Sequence, residues 1–530
     1  MNHEQHNPRL DLLHGADWVW YNVDMTTNRP GMLETYERFM KFELRHELFE
    51  RMVCDVPFWS YIRSSVYLFA VLPQLERLGA AHPDFAATRN SQAQAPAESN
   101  DSSSTRLAHF LQRIRVDPAF AIRRRRVLLA LAPRLVKTEQ GTHVRIWIDF
   151  FVHRLKSQFA ALEYPYPALE YATHAGCGRI FHPDGALRAV AEYKASPEFL
   201  SRANLLERRA QWLAEKLSRE FAIKVNWRWL QQRIASAVAQ DVAAVPVLSG
   251  YLRRLGVRCV VEAVAYSERN RALTKAAHDL GIPVVELQHG TIYSAHPGYN
   301  LPVADPQYSP DYLLTWGDYW ASGTRNYPAK RTVAVGYPYL AHSLKSFPRK
   351  ASANGVVRIL FISQGTVGAE LADVARELSE RLPADQFTVS FKLHPNESRT
   401  WRSQYPSLAG SGVKVIENDA RSVYECFGES DAIVGVYSTA LIEGLMWGLR
   451  TYVLASLPGG DTMRPFAEAG AVDIVNSSDE LAMRLGEIRT QPSKCAVGAE
   501  KLFMGGDAAA RVASFIDNVA GVRSGNDALL

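Results

Sequence analysis

Two doubly wound parallel α/β sheets are predicted for this chain, and three features predict them. From Tyr251 onward short apolar runs alternate with amphipathic stretches, as VRCVVEAVAY, ERNRALTKAAHDLG and IPVVEL do, which is the strand, helix, strand order of a βαβ unit. The alternation resumes after a gap at residues 337–354 that holds Pro338, Pro348 and several Lys and Ser residues. In both halves the apolar runs stop at polar residues, as strands bordering a ligand crevice do.

At 530 residues, with 47% apolar and 22% charged, the chain exceeds one ordinary core and can fill two or three. Residues 1–90 read as a helical subdomain, with helix-type apolar spacing and anchors such as Phe58, Trp59 and Tyr61. Residues 91–105, SQAQAPAESNDSSS and its flank, have linker chemistry and are expected to be disordered. A first Rossmann-like domain is expected over 106–336. It opens with VLLALAPRL as a buried strand, continues through a long helical stretch at 186–245, and ends in DYLLTWG and TVAVG as further strands. After the linker at 337–354, a second such domain is expected over 355–500, from VVRILFIS through a helix at 368–381 to FTVSFKL, VKVIE, DAIVGV and TYVLA. Residues 501–530 form a tail with a helix that packs back.

A formal net charge of +5 falls short of a dedicated nucleic-acid binder and suits an anionic substrate or membrane surface. The four consecutive arginines at 123–126 read either as a solvated helix end or as a contact for an anionic acceptor or lipid head group. Cys54, Cys177, Cys259, Cys426 and Cys495 form no C-x-x-C pair, which points to a reducing cytoplasm. The first fifteen residues lack a signal-peptide pattern, and no apolar run is expected to span a bilayer.

The chemistry concentrates at strand ends. FTVSFKL stops at His394-Pro395-Asn396-Glu397, and DAIVGV stops at Tyr437-Ser438-Thr439, where S-T-A-L-I-E-G begins a helix. A hydroxyl there can cap the helix, and the free N–H groups beside it can hold an anion. An imidazole from one strand end and two hydroxyls from another can thus converge on a phosphate. His-Pro also occurs at His82, His182 and His296, so the dipeptide alone carries little weight. Glu443, one turn further on, is either a solvated acid that favours the helix dipole or an acceptor for ribose hydroxyls. In the first half, IPVVEL runs into Gln288-His289-Gly290. His289 faces the cleft or is a structural turn histidine, Gln288 binds ligand or satisfies backbone, and Gly290 supplies φ > 0 or a close approach. Glu163, Glu262 and Glu268 are the candidate acids for nucleophile or base, with Asp149 as an alternative; Glu262 lies in an apolar run, where a carboxylate must be paired or near the strand end.

The segments VVELQHG, DYLLTWGDYW, TVAVGYP, FKLHPNE and YSTALIEGLMWG, in this order, resemble bacterial GT-B glycosyltransferases of capsule and lipopolysaccharide synthesis, above all β-Kdo transferases and bacterial sialyltransferases. The resemblance spans roughly residues 123–480. It implies a GT-B-like fold and metal-independent transfer of Kdo or a related ulosonic acid from a CMP-activated donor to a lipid-linked glycan, at the inner membrane surface and without nucleic acid. UDP-sugar and CDP-glycerol are the alternative donors, and a non-catalytic glycan- or nucleotide-binding partner of a capsule assembly complex is the alternative outside enzymes. By the resemblance, His394 with Pro395 and the Ser438-Thr439 pair contact the nucleotide phosphate, and Glu443 contacts the ribose. No cofactor is implied beyond the CMP-sugar substrate. No D-x-D triplet occurs, so no metal clamp is expected.

Overall fold

The computed structural model describes residues 32–72, 125–132, 135–137, 143–164, 180–327, 331–352, 355–365, 367–394, 397, 400–417, 421–488 and 499–521. The expected linker at 91–105 and Pro395 lie outside them.

The strands in chain order are β1 (Val127–Leu131), β2 (Leu135–Lys137), β3 (His143–Arg145), β4 (Phe159–Glu163), β5 (Ile180–Phe181), β6 (Cys259–Ala263), β7 (Val284–Leu287), β8 (Tyr312–Thr315) and β9 (Arg331–Ala334) in the first half. The second half holds β10 (Val357–Ile362), β11 (Phe387–Lys392), β12 (Lys414–Ile416), β13 (Ala432–Gly435), β14 (Arg450–Leu454) and β15 (Asp473–Val475). Seven of them form one sheet in the order β5-β4-β1-β6-β7-β8-β9, six form another in the order β12-β11-β10-β13-β14-β15, and every pairing within these two sheets is parallel. β2 and β3 make a separate antiparallel pair.

Numbered within itself, each large sheet reads third, second, first, fourth, fifth, sixth, the doubly wound order, and the first adds a seventh strand, β9, at its edge. The strand order reverses beside β1 in one sheet and beside β10 in the other. The sequence explains why these strands are central. Every residue of β1, β6, β7 and β13 is buried, as a strand covered on both faces requires, and their apolar runs are nearly continuous.

Two elements depart from expectation. The stretch expected as a linker holds a helix, Pro338–Ser346, whose Tyr339, Leu340 and Ser343 are buried; Pro338 suits the first turn, where its missing N–H is not needed. β15 was not expected, because three residues opening on Asp473 give too short an apolar signal. In addition, Trp227–Leu255 is continuous helix, long and apolar enough by length and composition to cross a membrane. Leu230, Ile234, Val238, Leu248 and Leu252 on it are buried. The helix widens to a π turn at Gln240–Ala244 just before Pro246, which has no N–H for the regular ladder.

The halves are joined by more than one route. Near the N-terminus, the helix Met32–Arg45 touches both: Leu33 N donates to Asp461 Oδ2 at 3.3 Å, and Tyr36 donates from its hydroxyl to the Asn300 carbonyl. The ion pair of Arg63 with Glu43, 2.7 Å and wholly buried, holds that helix against Phe58–Val66. The tail packs back on the first sheet. Trp320 Nε1 donates to Leu502 O at 2.6 Å, and Asp517 in the helix Ala508–Val519 accepts from Lys156 N and Ser157 N. Short helical turns after β8 and β14, Asp318–Gly323 and Arg464–Glu468, also meet, with the Tyr319 and Phe466 rings 5.2 Å apart.

Candidate functional site

Residues that leave the carboxyl edges of the two sheets meet in one place. Thr291, four residues past β7, donates from its backbone N to Thr439 Oγ1, four residues past β13, at 3.4 Å. A methyl on Gly290 would lie 3.6 Å from the same oxygen. The Q-H-G loop and the Ser-Thr turn thus face each other across the crevice, and the architecture is GT-B-like: two doubly wound sheets with a cleft between their carboxyl edges.

On the second sheet, Ser438 is the N-cap of Thr439–Gly444, accepting from Ala440 N at 3.3 Å. That helix is six residues long and continues as a 3-10 turn to Trp447, so its dipole is modest and the anion would rest mainly on N–H groups and hydroxyls. Glu443 is buried, which removes the solvated first-turn reading. His394 leaves β11, with β10 between it and β13. Two strand spacings are about 10 Å, so His394 and the Ser438-Thr439 turn can share an anion only above the end of β10. Gln364 stands there, and its Oε1 accepts from Tyr437 N at 2.9 Å.

The HPNE loop closes on itself. His394 N donates to Glu397 Oε2 at 2.8 Å, and Glu397 N donates to His394 O at 2.9 Å. Glu397 is buried, and burial raises its carboxyl above the usual range despite the donor from His394 N. The acid therefore sets the histidine's backbone position. Its signal was the fourth letter of the motif.

On the first sheet, His289 sits among aromatic rings. Its Nδ1 lies 2.7 Å from the Tyr299 hydroxyl, its Nε2 lies 3.1 Å from the Tyr266 hydroxyl, and the Trp147 ring meets it edge-on with centroids 5.9 Å apart. Behind it stands Glu286. Glu286 Oε1 accepts from Ala265 N at 3.1 Å and from the Tyr299 hydroxyl at 3.4 Å, and its Oε2 accepts from Tyr327. Complete burial pushes its carboxyl up to about 8. With Tyr299 donating to Glu286, Nδ1–H of His289 donates to Tyr299, which leaves Nε2 as the basic nitrogen. Glu286 was missed in the sequence, although a Glu in an apolar strand three residues before a strand-end His was a legible signal.

Other candidates are placed differently. Gln288 is a brace: its Nε2 donates to Gly290 O at 2.8 Å and its Oε1 accepts from Trp316 N at 2.9 Å, so both ends of the amide are engaged with backbone. Gly290 is not among the residues with positive φ. Glu262 is fully buried under the helix Glu268–His278, accepting from Thr274 Oγ1 at 2.9 Å beside its register partner Glu286; burial, then the neighbouring Glu286, hold its carboxyl well above the usual range. It is therefore no cleft nucleophile. Glu268 pairs with Arg233 at 3.1 Å, and Glu163, the last residue of β4, pairs with Arg145 at 2.5 Å. Asp149 Oδ2 accepts from Arg145 N at 2.8 Å. Arg125 and Arg126 lie at the amino end of β1, where Arg125 N donates to Leu255 O, on the edge opposite the crevice. Among the described residues no group of three or more His, Cys, Asp or Glu could hold a metal ion.

No family model matches the chain, and no curated protein does. Solved structures with a similar architecture include an S. aureus MnaA–UDP complex (12% identity over 75% of this chain and 98% of that one, TM-score 0.44). A Methanocaldococcus jannaschii UDP-GlcNAc 2-epimerase with UDP-GlcNAc and UDP is similar at 11% identity over 74% and 99%, with a TM-score of 0.41. Acinetobacter baumannii MurG is similar at 13% over 74% and 99%, with a TM-score of 0.43. The strand orders, rather than these scores, carry the fold.

Proposed function

We propose that the chain is an enzyme of glycosyl transfer that uses a nucleotide-activated sugar. The observation that carries this reading is the meeting of Thr291 with Thr439, which places a histidine held by two tyrosines on one side of a crevice and a hydroxyl-lined, histidine-flanked turn on the other. Such a crevice can stabilise a leaving phosphate with Thr439, free N–H groups and His394, while His289 takes the proton of an acceptor hydroxyl through Nε2. Tyr266 occupies Nε2 in the free protein and would be displaced by that hydroxyl. Tyr299, held in place by Glu286, accepts Nδ1–H and keeps that proton hydrogen-bonded as the imidazolium forms.

The donor class that the HP and S-T motifs imply is a CMP-activated ulosonic acid such as CMP-Kdo, with UDP-sugar or CDP-glycerol as the alternatives. Calorimetric titration with CMP, CDP, UDP and GDP tests this. Binding of CMP alone supports the ulosonic acid donor, and binding of a diphosphate moves the donor to the alternatives. Failure of all four removes the transferase reading and leaves a non-catalytic glycan-binding role. Transfer assays with CMP-Kdo and CMP-sialic acid on lipid-linked acceptors then name the sugar.

A further inference from the structure

We infer that Arg145 recognises an oxyanion on the sugar substrate, a carboxylate or a phosphate monoester; the inference rests on the glycosyl-transfer reading above. Arg145 closes β3 and is buried, with 1% of its surface exposed. Its Nη2 donates to Glu163 Oε1 at 2.5 Å, but its Nε and Nη1 have no hydrogen-bond partner among the described residues. A guanidinium has five N–H donors and keeps its charge. The one on Nε and the two on Nη1 have therefore left water without replacement, which is costly for a charged group. A ligand oxyanion would supply the missing acceptors.

The position favours a ligand. Glu163, the partner of Arg145, is in register with Leu131 at the end of β1, and β1 has β6 on its other side. The chain order reverses between β1 and β6, and ligands of open α/β sheets bind at the carboxyl edge of that switch point. The turn that follows Arg145 also leads to His289. Asp149 N donates to Arg145 O at 3.0 Å and Asp149 Oδ2 accepts from Arg145 N, closing a turn that carries Trp147 against the His289 ring. The proposed leaving-phosphate donors belong to the other sheet, so the charge that Arg145 meets belongs to a sugar: the carboxylate of an acidic sugar or the phosphate of a phosphorylated one.

The test is calorimetric titration of the full chain with free Kdo, glucose 6-phosphate and glucose, alongside the four nucleotides. The wild type should bind one of the two anionic sugars at least tenfold more tightly than glucose, and which one it prefers identifies the oxyanion. Arg145→Met combined with Glu163→Met removes both charges together, so neither is left buried alone. This double variant should keep its nucleotide affinity within about twofold and bind all three sugars equally. Equal binding of the three sugars by the wild type overturns the assignment, and so does a retained preference in the double variant. The wild-type comparison needs no variant, so it decides the matter even if the double variant does not fold. Absence of an anionic-sugar preference in the wild type, with nucleotide binding intact, sinks only this inference, whereas failure of every nucleotide sinks the transferase reading.

Discussion

The backbone N–H of Thr291 and the hydroxyl of Thr439 join the two sheets across the crevice at 3.4 Å, whereas Ser438, one residue earlier, turns inward to cap its own helix at Ala440 N. The two adjacent hydroxyls therefore have separable roles. Ser438→Ala should lower stability by about 0.5–2 kcal/mol, the usual cost of a lost cap. Thr439→Val should leave the unfolding midpoint within about 2 °C and weaken nucleotide binding by roughly tenfold, the scale of a hydrogen bond to a charged group. Thermal unfolding and calorimetric titration of the two single variants check this; equal effects on both measurements would merge the roles.

His394→Ala should fold normally and slow turnover by roughly a hundredfold, the size expected for a lost acid or charge-stabilising donor. Glu397→Ala leaves His394 N without its carboxylate. It should lower turnover by about tenfold with a smaller change in nucleotide affinity, because the imidazole is misplaced rather than absent. Steady-state kinetics on both variants decide it, and wild-type turnover in folded His394→Ala would exclude that residue from the site.

Tyr299→Phe keeps the ring against His289 but removes the hydroxyl 2.7 Å from Nδ1. If Nε2 is the base, kcat should fall by about tenfold, and His289→Ala should cost roughly a hundredfold or more. The discriminating measurement is the pH profile of kcat/KM, which should shift in Tyr299→Phe because Nδ1–H of the imidazolium loses its acceptor. An unshifted profile would leave Tyr299 with packing alone.

Glu286 makes a prediction about pH and stability with a definite sign. Burial raises its carboxyl in the folded chain from the ordinary value of 4.5 to about 8. Between those values the folded state holds a proton that the unfolded state has released, so stability from this group is complete below about 4.5 and is lost as pH rises through about 8. Glu286→Gln removes the titration and keeps the shape. Its unfolding midpoint relative to wild type should therefore rise steadily from pH 5 to pH 8.5. A constant difference across that range would mean that Glu286 is not protonated in the folded protein.

Much of the architecture was legible in the amino-acid sequence because strand period, helix period and caps are local. The helix Gly368–Arg381 and strands such as β1, β10 and β13 follow from runs of apolar residues and the turn residues around them, and the polar stops after β7, β11 and β13 named His289, His394 and the Ser438-Thr439 pair. The helix Pro338–Ser346 and β15 were not legible, since each is short and depends on neighbours for burial.

Roles at the site divide along the same line. Sequence alone placed candidate groups at strand ends, where an apolar run meets polar residues. Only the tertiary structure decided which of them share a space, because that depends on strand order and on which face of a strand each side chain leaves. Register put Glu262 beside Glu286 on one face of the sheet, but Glu262 ends at Thr274 beneath a helix, whereas Glu286, not singled out in the sequence, reaches Tyr299 behind His289. The same packing left Arg145 with one carboxylate for a guanidinium that has five N–H groups, a deficit that cannot be seen until every neighbour is in place.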